Sequence, residues 1–163
     1  MTEAEKFTAA VHHTASAKGS AVSLNFGLRR ESMLWTSSNP KRRLMQNLNK
    51  HLSEAGFREL PYALAFEMTP ESQGGRLHLH GALDTSGLTE ADIHRLSIAL
   101  CRAVSFASGA IGGQRQLNIC PLHNPAGWAD YSLKDMTRTA RELGVETTVM
   151  MNNPMRRLAK DHF

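Results

Sequence analysis

The chain has 163 residues, 41% hydrophobic and 21% charged, which is enough for one domain with a single core and is ordinary for a globular protein. Nineteen lysines and arginines against fifteen acidic residues give a formal net charge of +4, which permits a nucleic-acid partner without requiring one. The sequence has no apolar run of membrane-spanning length, no apolar segment typical of a secretion signal and no CxxC pair, so we expect a cytoplasmic protein with free thiols.

The first half of the chain is predicted to contain a helix between strands. Residues 1–19 are polar and rich in alanine and serine, and we interpret them as a flexible N-terminal arm, in which a short helix is the alternative. Residues 21–28 alternate between apolar and polar side chains, which predicts a half-buried strand. Asn39 and Pro40 predict the start of a helix that ends at Gly56. Strands are predicted over residues 61–68 and 76–83, and the turn between them makes the pair a hairpin.

The second half repeats this alternation. Thr89 is the predicted N-cap of a helix, residues 109–113 are a predicted loop, and residues 116–120 are a predicted strand. One long helix is predicted from Asn124 to about Leu143, followed by a strand over residues 145–151 and a basic tail over 152–163. The order β-α-β-β-α-β-α-β predicts a single α+β domain (residues 1–163) with a largely antiparallel, ferredoxin-like or RRM-like sheet and helices packed on one face.

The predicted hairpin carries a candidate metal site. His78 and His80 are two positions apart on one strand, so both side chains project from the face opposite the leucines. If the turn is centred near Gln73, paired residue numbers sum to 145 or 147, which puts Glu67 opposite one of the histidines. Two imidazoles and one carboxylate suit a divalent ion that also holds a substrate oxygen. A register shifted by one residue would turn Glu67 away and leave Glu71 as the third candidate ligand.

A tyrosine stands out on the predicted helix that begins at Asn124. The apolar positions of that helix form one stripe, and Tyr131 lies on the opposite side with Lys134 one turn on and Arg138 two turns on. A phenol is a weak nucleophile until it is deprotonated or assisted by a metal ion. A nearby cation favours the deprotonated phenol and can also screen the negative charge of a phosphate. The same pattern is also that of an ordinary exposed tyrosine beside a lysine.

Basic residues cluster in the first third of the chain. The candidate DNA-contacting residues are Arg29, Arg30, Lys41, Arg42, Arg43 and, on the tyrosine helix, Arg138. Cations in the first turn of a helix oppose the helix dipole, so Lys41 and its neighbours do not serve local stability, and a phosphate partner is a reasonable interpretation. A solvated basic face is the alternative.

Three segments, taken together, resemble the motifs of the HUH endonuclease superfamily in its rolling-circle replication-initiator (Rep) branch. The strand around Val22–Phe26 stands in the place of the first motif, His78-Leu79-His80-Gly81 of the second, and Tyr131-Ser132-Leu133-Lys134 of the third. The order of histidines before tyrosine resembles initiators and single-strand transposases rather than conjugative relaxases, and Lys134 favours initiators. Trp128 and Gly127 occupy the positions at which a two-tyrosine enzyme would carry its second tyrosine.

The resemblance implies a nicking and joining enzyme for single-stranded DNA. Its expected catalytic residues are Tyr131 and Lys134, and its expected metal ligands are His78, His80 and Glu67, with Mg²⁺ or Mn²⁺ as the ion. The expected partner is single-stranded DNA at an origin or hairpin nick site, and recruitment of a separate host helicase is open, as is the oligomeric state. A transposase or mobilisation enzyme with the same chemistry, a nucleic-acid-binding module without catalysis and a small zinc-binding regulator are the alternatives.

Overall fold

The computed structural model describes residues 1–105 and 116–161 of the chain. Its strands are β1 (Ser20–Asn25), β2 (Tyr62–Met68), β3 (Leu77–Leu83), β4 (Leu117–Pro121) and β5 (Val149–Met151). Its helices are α1 (Glu3–Ser16), α2 (Leu28–Trp35), α3 (Pro40–Glu54), α4 (Glu90–Val104), α5 (Pro125–Leu133), α6 (Met136–Leu143) and α7 (Asn153–Lys160). A 3₁₀ turn, Glu71–Gln73, joins β2 to β3. The predicted loop over 109–113 lies outside the described residues.

The strands form one sheet in the order β4-β1-β3-β2-β5, and every neighbouring pair is antiparallel. The order of the first four strands follows from two β-α-β units, in which α3 and α4 carry the chain across the sheet. The predicted α+β class with a ferredoxin-like antiparallel sheet is confirmed.

The main core lies on one face of this sheet. Large apolar side chains of β1, β2 and β3 alternate toward that face, where α2, α3 and α4 cover them. The contributors include Leu24, Phe66, Leu79, Leu48 and Leu96, each at most 1% exposed. This is the predicted layer of helices on one face of the sheet.

The opposite face has a second, smaller core over part of its area. The sheet residues in that part are mostly alanines, and the helices α1, α5 and α7 pack on them. Small side chains let a helix backbone approach a sheet closely. The rest of this face carries polar side chains and is where the predicted metal ligands lie.

The predicted flexible N-terminal arm is wrong, because residues 3–16 form the packed helix α1. Thr2 caps the helix through a reciprocal capping box with Glu5. Phe7 and Val11 are fully buried in the second core. The alanine-rich composition that was interpreted as a loose segment is also a composition with high helix propensity.

The predicted single helix from Asn124 to Leu143 is also wrong, because it breaks into α5 and α6 at Lys134 and Asp135. Asp135 has non-helical backbone angles, φ −113° and ψ 22°. The bend lets side chains of α6 form hydrogen bonds with the last backbone groups of β2. The Met68 amide donates to Thr139 Oγ1 at 3.1 Å, and the Met68 carbonyl accepts from Arg138 at 2.6 Å. These tertiary hydrogen bonds offset the broken helical bonds.

Three further boundaries differ from the prediction. The first strand ends at Asn25, and Leu28 begins α2 instead of extending the strand. The last strand is only Val149–Met151, because it pairs with β2 over three residues. The basic tail contains α7, whose Met155 is fully buried, so this segment is part of the domain. Among the described residues, no helix combines the length and the apolar character needed to cross a lipid bilayer.

Candidate active site

The β2–β3 hairpin puts Glu67 directly opposite His78. Their residue numbers sum to 145, which is one of the two predicted registers. Because side chains alternate along a strand, Glu67, His78 and His80 all project from the half-open face of the sheet. The carboxylate is 4% exposed and its Oε2 lies 2.6 Å from His80 Nε2. The hairpin alone therefore assembles all three predicted metal ligands.

The two imidazoles are adjacent and partly buried. Their ring centres are 6.1 Å apart, and His80 is 7% exposed while His78 is half-buried. Burial lowers the pKa of both rings below the ordinary histidine value, and the charge of Glu67 opposes that shift. A neutral imidazole retains a nitrogen lone pair, which is the form that binds a metal ion.

Helix α5 brings the tyrosine to the histidines. Asn124 caps the helix through the Gly127 amide, and Ala129 packs into the second core, which fixes the helix on the sheet. The ring of Tyr131 then lies edge-on to His80, with 5.1 Å between ring centres. Tyr131 is 44% exposed, so a substrate can reach its hydroxyl from solvent.

Lys134 joins the tyrosine to the carboxylate. Its ammonium lies 3.9 Å from the centre of the Tyr131 ring and 3.0 Å from Glu67 Oε1. Burial alone would lower the pKa of Lys134, but the hydrogen bond and charge of Glu67 raise it above the ordinary lysine value. Lys134 is thus held as a cation between the phenol and Glu67.

Trp128 supports this arrangement and was not identified as a site residue from the sequence. Its indole stacks on the Tyr131 ring with 5.4 Å between centres and an angle of 18° between planes. The indole also meets the His80 ring edge-on at 5.7 Å, and its Nε1 donates to the Gly81 carbonyl at 2.8 Å. The hydrogen bond to the sheet backbone therefore fixes the indole ring on which Tyr131 stacks.

Two polar residues of β1 contact the histidines from the other side. Asn25 Oδ1 lies 2.7 Å from His78 Nδ1, and Ser23 Oγ lies 3.0 Å from His80 Nδ1. The strand register pairs each of them directly with the histidine that it contacts. The alternation of the first strand had put both side chains on the non-core face, but it did not indicate these partners.

The site residues line one open cavity of about 450 Å³. The five predicted residues that line it are Glu67, His78, His80, Tyr131 and Lys134. Asn25, Thr69 and Gln73 are among its other lining residues. The side chains that line the cavity include a cation, a phenol and two imidazoles.

The donor set fits a divalent ion after one adjustment. Within residues 1–105 and 116–161, no three histidine, cysteine, aspartate or glutamate side chains are already arranged to hold a metal ion. Glu67 is instead hydrogen-bonded to His80 Nε2, the nitrogen that would have to face an ion. Two imidazoles and one carboxylate are nevertheless the ligand types of open, substrate-binding metal sites. Exchange of the Glu67–His80 hydrogen bond for two metal bonds would complete the set.

Most of the predicted DNA-contacting residues are not brought to this cavity. Five of them lie on α2 and on the first turn of α3, in the layer of helices on the sheet face that does not bear the cavity. These are Arg29, Arg30, Lys41, Arg42 and Arg43. Arg29, Arg42 and Arg43 are exposed, whereas Arg30 is 8% exposed and donates to the Arg102 carbonyl. Arg138 is nearer the site on α6, where it pairs with Asp135 at 3.3 Å.

Two further residues, the second tyrosine of the chain and the alternative third ligand, lie outside the site. Tyr62 is 1% exposed, and its hydroxyl donates to Asn49 at 3.0 Å. Burial raises the pKa of Tyr62 well above its ordinary value, so this tyrosine is a structural residue. Glu71, the alternative third ligand, is exposed in the 3₁₀ turn and lines a separate cavity beside Arg138.

Comparison of the chain with protein-family models, with curated proteins and with solved structures found no match. The geometry of the cavity is therefore the basis for the functional argument. It combines an accessible phenol, an adjacent ammonium and a nearby pair of imidazoles with a carboxylate, which are the groups needed to bind a phosphodiester and attack it.

Proposed function

We propose that this protein is a metal-dependent endonuclease that nicks and rejoins single-stranded DNA through a covalent bond to Tyr131. One observation carries the proposal. Glu67, His78 and His80 from the hairpin, Tyr131 from α5 and Lys134 from the residue after α5 line a single cavity, although up to 67 positions of sequence separate them. A tyrosine exposed by chance on a helix would have no reason to lie with its ring centre 5.1 Å from that of His80.

In this proposal the two imidazoles and the carboxylate would hold Mg²⁺ or Mn²⁺. Such an ion would supply Lewis-acid chemistry for the scissile phosphate. His78 and His80 contribute neutral nitrogen ligands, and Glu67 contributes a negative oxygen ligand that offsets part of the ion's charge. Trp128 keeps the Tyr131 ring beside the ion-binding side chains.

The phenolic oxygen of Tyr131 attacks the phosphorus atom. The P–O bond to the 3′ oxygen breaks as the bond from Tyr131 forms, which leaves a 5′-phosphotyrosine and a free 3′-hydroxyl. The phenol loses one proton and the departing 3′ oxygen gains one, so the step releases no net proton. Because the phosphoester is conserved, a 3′-hydroxyl can attack the phosphotyrosine and rejoin the strand without ATP.

Lys134 stabilises the negative charge of this reaction. Its ammonium is next to the phenol and can move from Glu67 toward a phosphate oxygen, since its side chain is 42% exposed. A cation that faces a developing anion lowers the barrier most when it is already in place. The bond to Glu67 keeps it there before the substrate arrives.

A free 3′-hydroxyl produced at a defined nick can prime a polymerase, so we assign the activity to the initiation of rolling-circle replication of a plasmid, phage or related element. The basic side chains on α2 and α3 would bind phosphates outside the cavity. A transposase or mobilisation enzyme would use the same cavity in the same way, and the choice between these roles depends on the DNA sequence that is cut.

The test is the formation of a covalent adduct. The protein is incubated with labelled single-stranded oligonucleotides and Mn²⁺, and the products are separated under denaturing conditions. Wild-type protein should yield a labelled protein band that resists denaturation, and Tyr131→Phe should yield none. Tyr62→Phe is the matched control, because it also removes a single tyrosine hydroxyl but lies outside the cavity, and it should retain the adduct.

His78→Ala should abolish the adduct while keeping the folded circular-dichroism spectrum. His51→Ala, on α3, is its control and should retain the adduct. If wild-type protein forms no adduct across a varied set of origin-like oligonucleotides with Mn²⁺ or Mg²⁺, or if Tyr131→Phe still forms one, the proposal is wrong. Nucleic-acid binding without catalysis, or tight retention of zinc, would then be the function to pursue.

A further inference from the structure

Ser23 and Asn25 meet the two histidines in a one-to-one pattern. In the β1–β3 register Ser23 is opposite His80 and Asn25 is opposite His78. Each side chain lies within hydrogen-bond distance of the Nδ1 atom of its histidine, at 3.0 Å and 2.7 Å. Both Nδ1 atoms are therefore occupied from β1, so a ligand would bind through the Nε2 atoms, of which that of His80 is bonded to Glu67.

The two contacts differ in what they permit. The amide oxygen of Asn25 only accepts a hydrogen bond, so His78 must carry its proton on Nδ1, and its Nε2 has a free lone pair. The hydroxyl of Ser23 can donate or accept. Ser23 therefore tolerates both neutral tautomers of His80, whereas the amide oxygen that Asn25 presents to His78 accommodates only its Nδ1–H tautomer.

Glu67 determines which tautomer His80 adopts before an ion is bound. Its carboxylate accepts from Nε2 of His80 at 2.6 Å, so the ring proton is on Nε2, and Ser23 donates to Nδ1. Binding of an ion to Nε2 requires the proton on Nδ1 instead. The ring stays neutral in both states, since one proton leaves Nε2 and one is taken up at Nδ1, and the Ser23 hydroxyl rotates from donor to acceptor.

We propose that Ser23 and Asn25 are positioning residues that control the histidine tautomers, fixed for His78 and reversible for His80. This inference rests on the proposed metal site. It makes His78 a permanently prepared ligand and His80 a ligand that is released from Glu67 only when an ion arrives. Glu67 is freed in the same event, which explains how a carboxylate bonded to His80 can become the third ligand.

The tautomers can be read directly. Protein labelled with ¹⁵N at histidine is studied by long-range proton–nitrogen correlation, without metal and with saturating Zn²⁺ as a diamagnetic probe. Metal-free His78 should carry its proton on Nδ1 and metal-free His80 on Nε2. With Zn²⁺, His80 should change to Nδ1–H and His78 should keep its tautomer. Observation of His78 as the Nε2–H tautomer, or of an unchanged His80 with Zn²⁺, would overturn the inference.

Variants test the role of each residue through Mn²⁺ affinity, measured by calorimetry. Loss of the hydrogen bond that orients a metal-binding histidine typically weakens metal binding about 10–100-fold, and we expect this for Ser23→Ala and for Asn25→Leu. Ser23→Thr retains a hydroxyl and should bind Mn²⁺ with near wild-type affinity. Asn25→Asp retains an acceptor and adds a negative charge, so its affinity should be at least that of the wild type. Ser97→Ala, which removes a hydroxyl from α4, is the control and should change nothing.

The outcomes separate this inference from the proposed function. If Mn²⁺ binds and the tautomers behave as described but no DNA adduct forms, the positioning roles stand and the endonuclease activity fails. If Ser23→Ala binds Mn²⁺ as tightly as the wild type, the role of Ser23 is refuted whatever the cleavage assay shows. The wild-type spectra need no variant, so a poorly folded substitution does not remove the test.

Discussion

The contact between Glu67 and Lys134 should contribute a measurable coupling to stability. Glu67 Oε1 and Lys134 Nζ are 3.0 Å apart, and the carboxylate is 4% exposed. Hydrogen bonds to charged groups contribute about 1.5–3 kcal/mol, whereas exposed ion pairs contribute about 0.2–1 kcal/mol. The Lys134 side chain is 42% exposed, so solvent screens this pair from one side only. We therefore expect a coupling energy of about 1–1.5 kcal/mol, between the two ranges.

The measurement is a double-mutant cycle with Glu67→Gln, Lys134→Met and the two changes combined. Each protein is unfolded in urea at pH 7. The coupling energy is the difference between the change in the free energy of unfolding of the double variant and the sum of the changes of the two single variants. Glu67→Gln alone should destabilise by about 1–3 kcal/mol, because the carboxamide cannot accept from both Lys134 and His80. The double variant should lose less than the sum of the single variants.

A surface ion pair supplies the control. Glu59 and Arg157 are 3.2 Å apart, but their side chains are 73% and 67% exposed. The cycle of Glu59→Gln with Arg157→Met should give a coupling of at most a few tenths of a kcal/mol. If the Glu67–Lys134 cycle gives no more than this control, the carboxylate does not hold the lysine beside Tyr131, and the argument for a prepositioned cation is wrong.

Three further changes test the fold and the site. In urea unfolding, Gly81→Ala should destabilise the protein by about 3 kcal/mol or more, because its Cβ would lie 2.0 Å from a backbone carbonyl of β2. Gly87→Ala is the control: its Cβ would meet no atom within 4 Å, and only its φ of +76° disfavours the substitution, so it should cost about 1 kcal/mol. Phe7→Ala should cost about 3–5 kcal/mol, and a near-zero effect would mean that α1 is detachable. Burial lowers the pKa of His78 and His80, so the unfolded chain binds more protons than the folded protein does near pH 6. The free energy of unfolding should therefore be highest above about pH 6.5 and fall as the pH drops to 5, and the fall should be smaller in His78→Asn. A higher free energy of unfolding at pH 5 would contradict this.

The hairpin and its contents could be predicted from local patterns. Alternation identified both strands, and the glycine-containing turn restricted the register to two sums, one of which the structure adopts. In either of these registers Glu67 projects beside His78 and His80, and only a shift of one residue would have turned it away. The side of α5 from which Tyr131 projects was also predictable, because nine residues of helix have a regular period.

The contacts that complete the site depend on distant parts of the chain. The break after Lys134 is stabilised by hydrogen bonds from α6 to the end of β2, and no local pattern indicates where a strand's last polar groups find partners. The packing of Trp128 on Tyr131 likewise requires the Gly81 carbonyl, 47 positions away. The basic clusters on α2 and α3 are visible in the sequence, but the sequence does not show which face of the sheet they lie on. A register shift of one residue in the strands would exchange the two faces.

The position of the site along the sheet follows from where alanine gives way to polar residues. On the face that bears the site, β1 and β2 begin with alanine and end with polar residues, while β3 begins with histidines and ends with alanine. The alanines are Ala21, Ala63, Ala65 and Ala82, and the polar residues are Ser23, Asn25, Glu67, His78 and His80. Because β3 runs opposite to its neighbours, this reversed order aligns the alanines at one end and the polar residues at the other. Helix α5 packs on the alanines and ends where the polar residues begin. Tyr131, in its last turn, and Lys134, the residue after the helix, are the side chains that contact the polar residues.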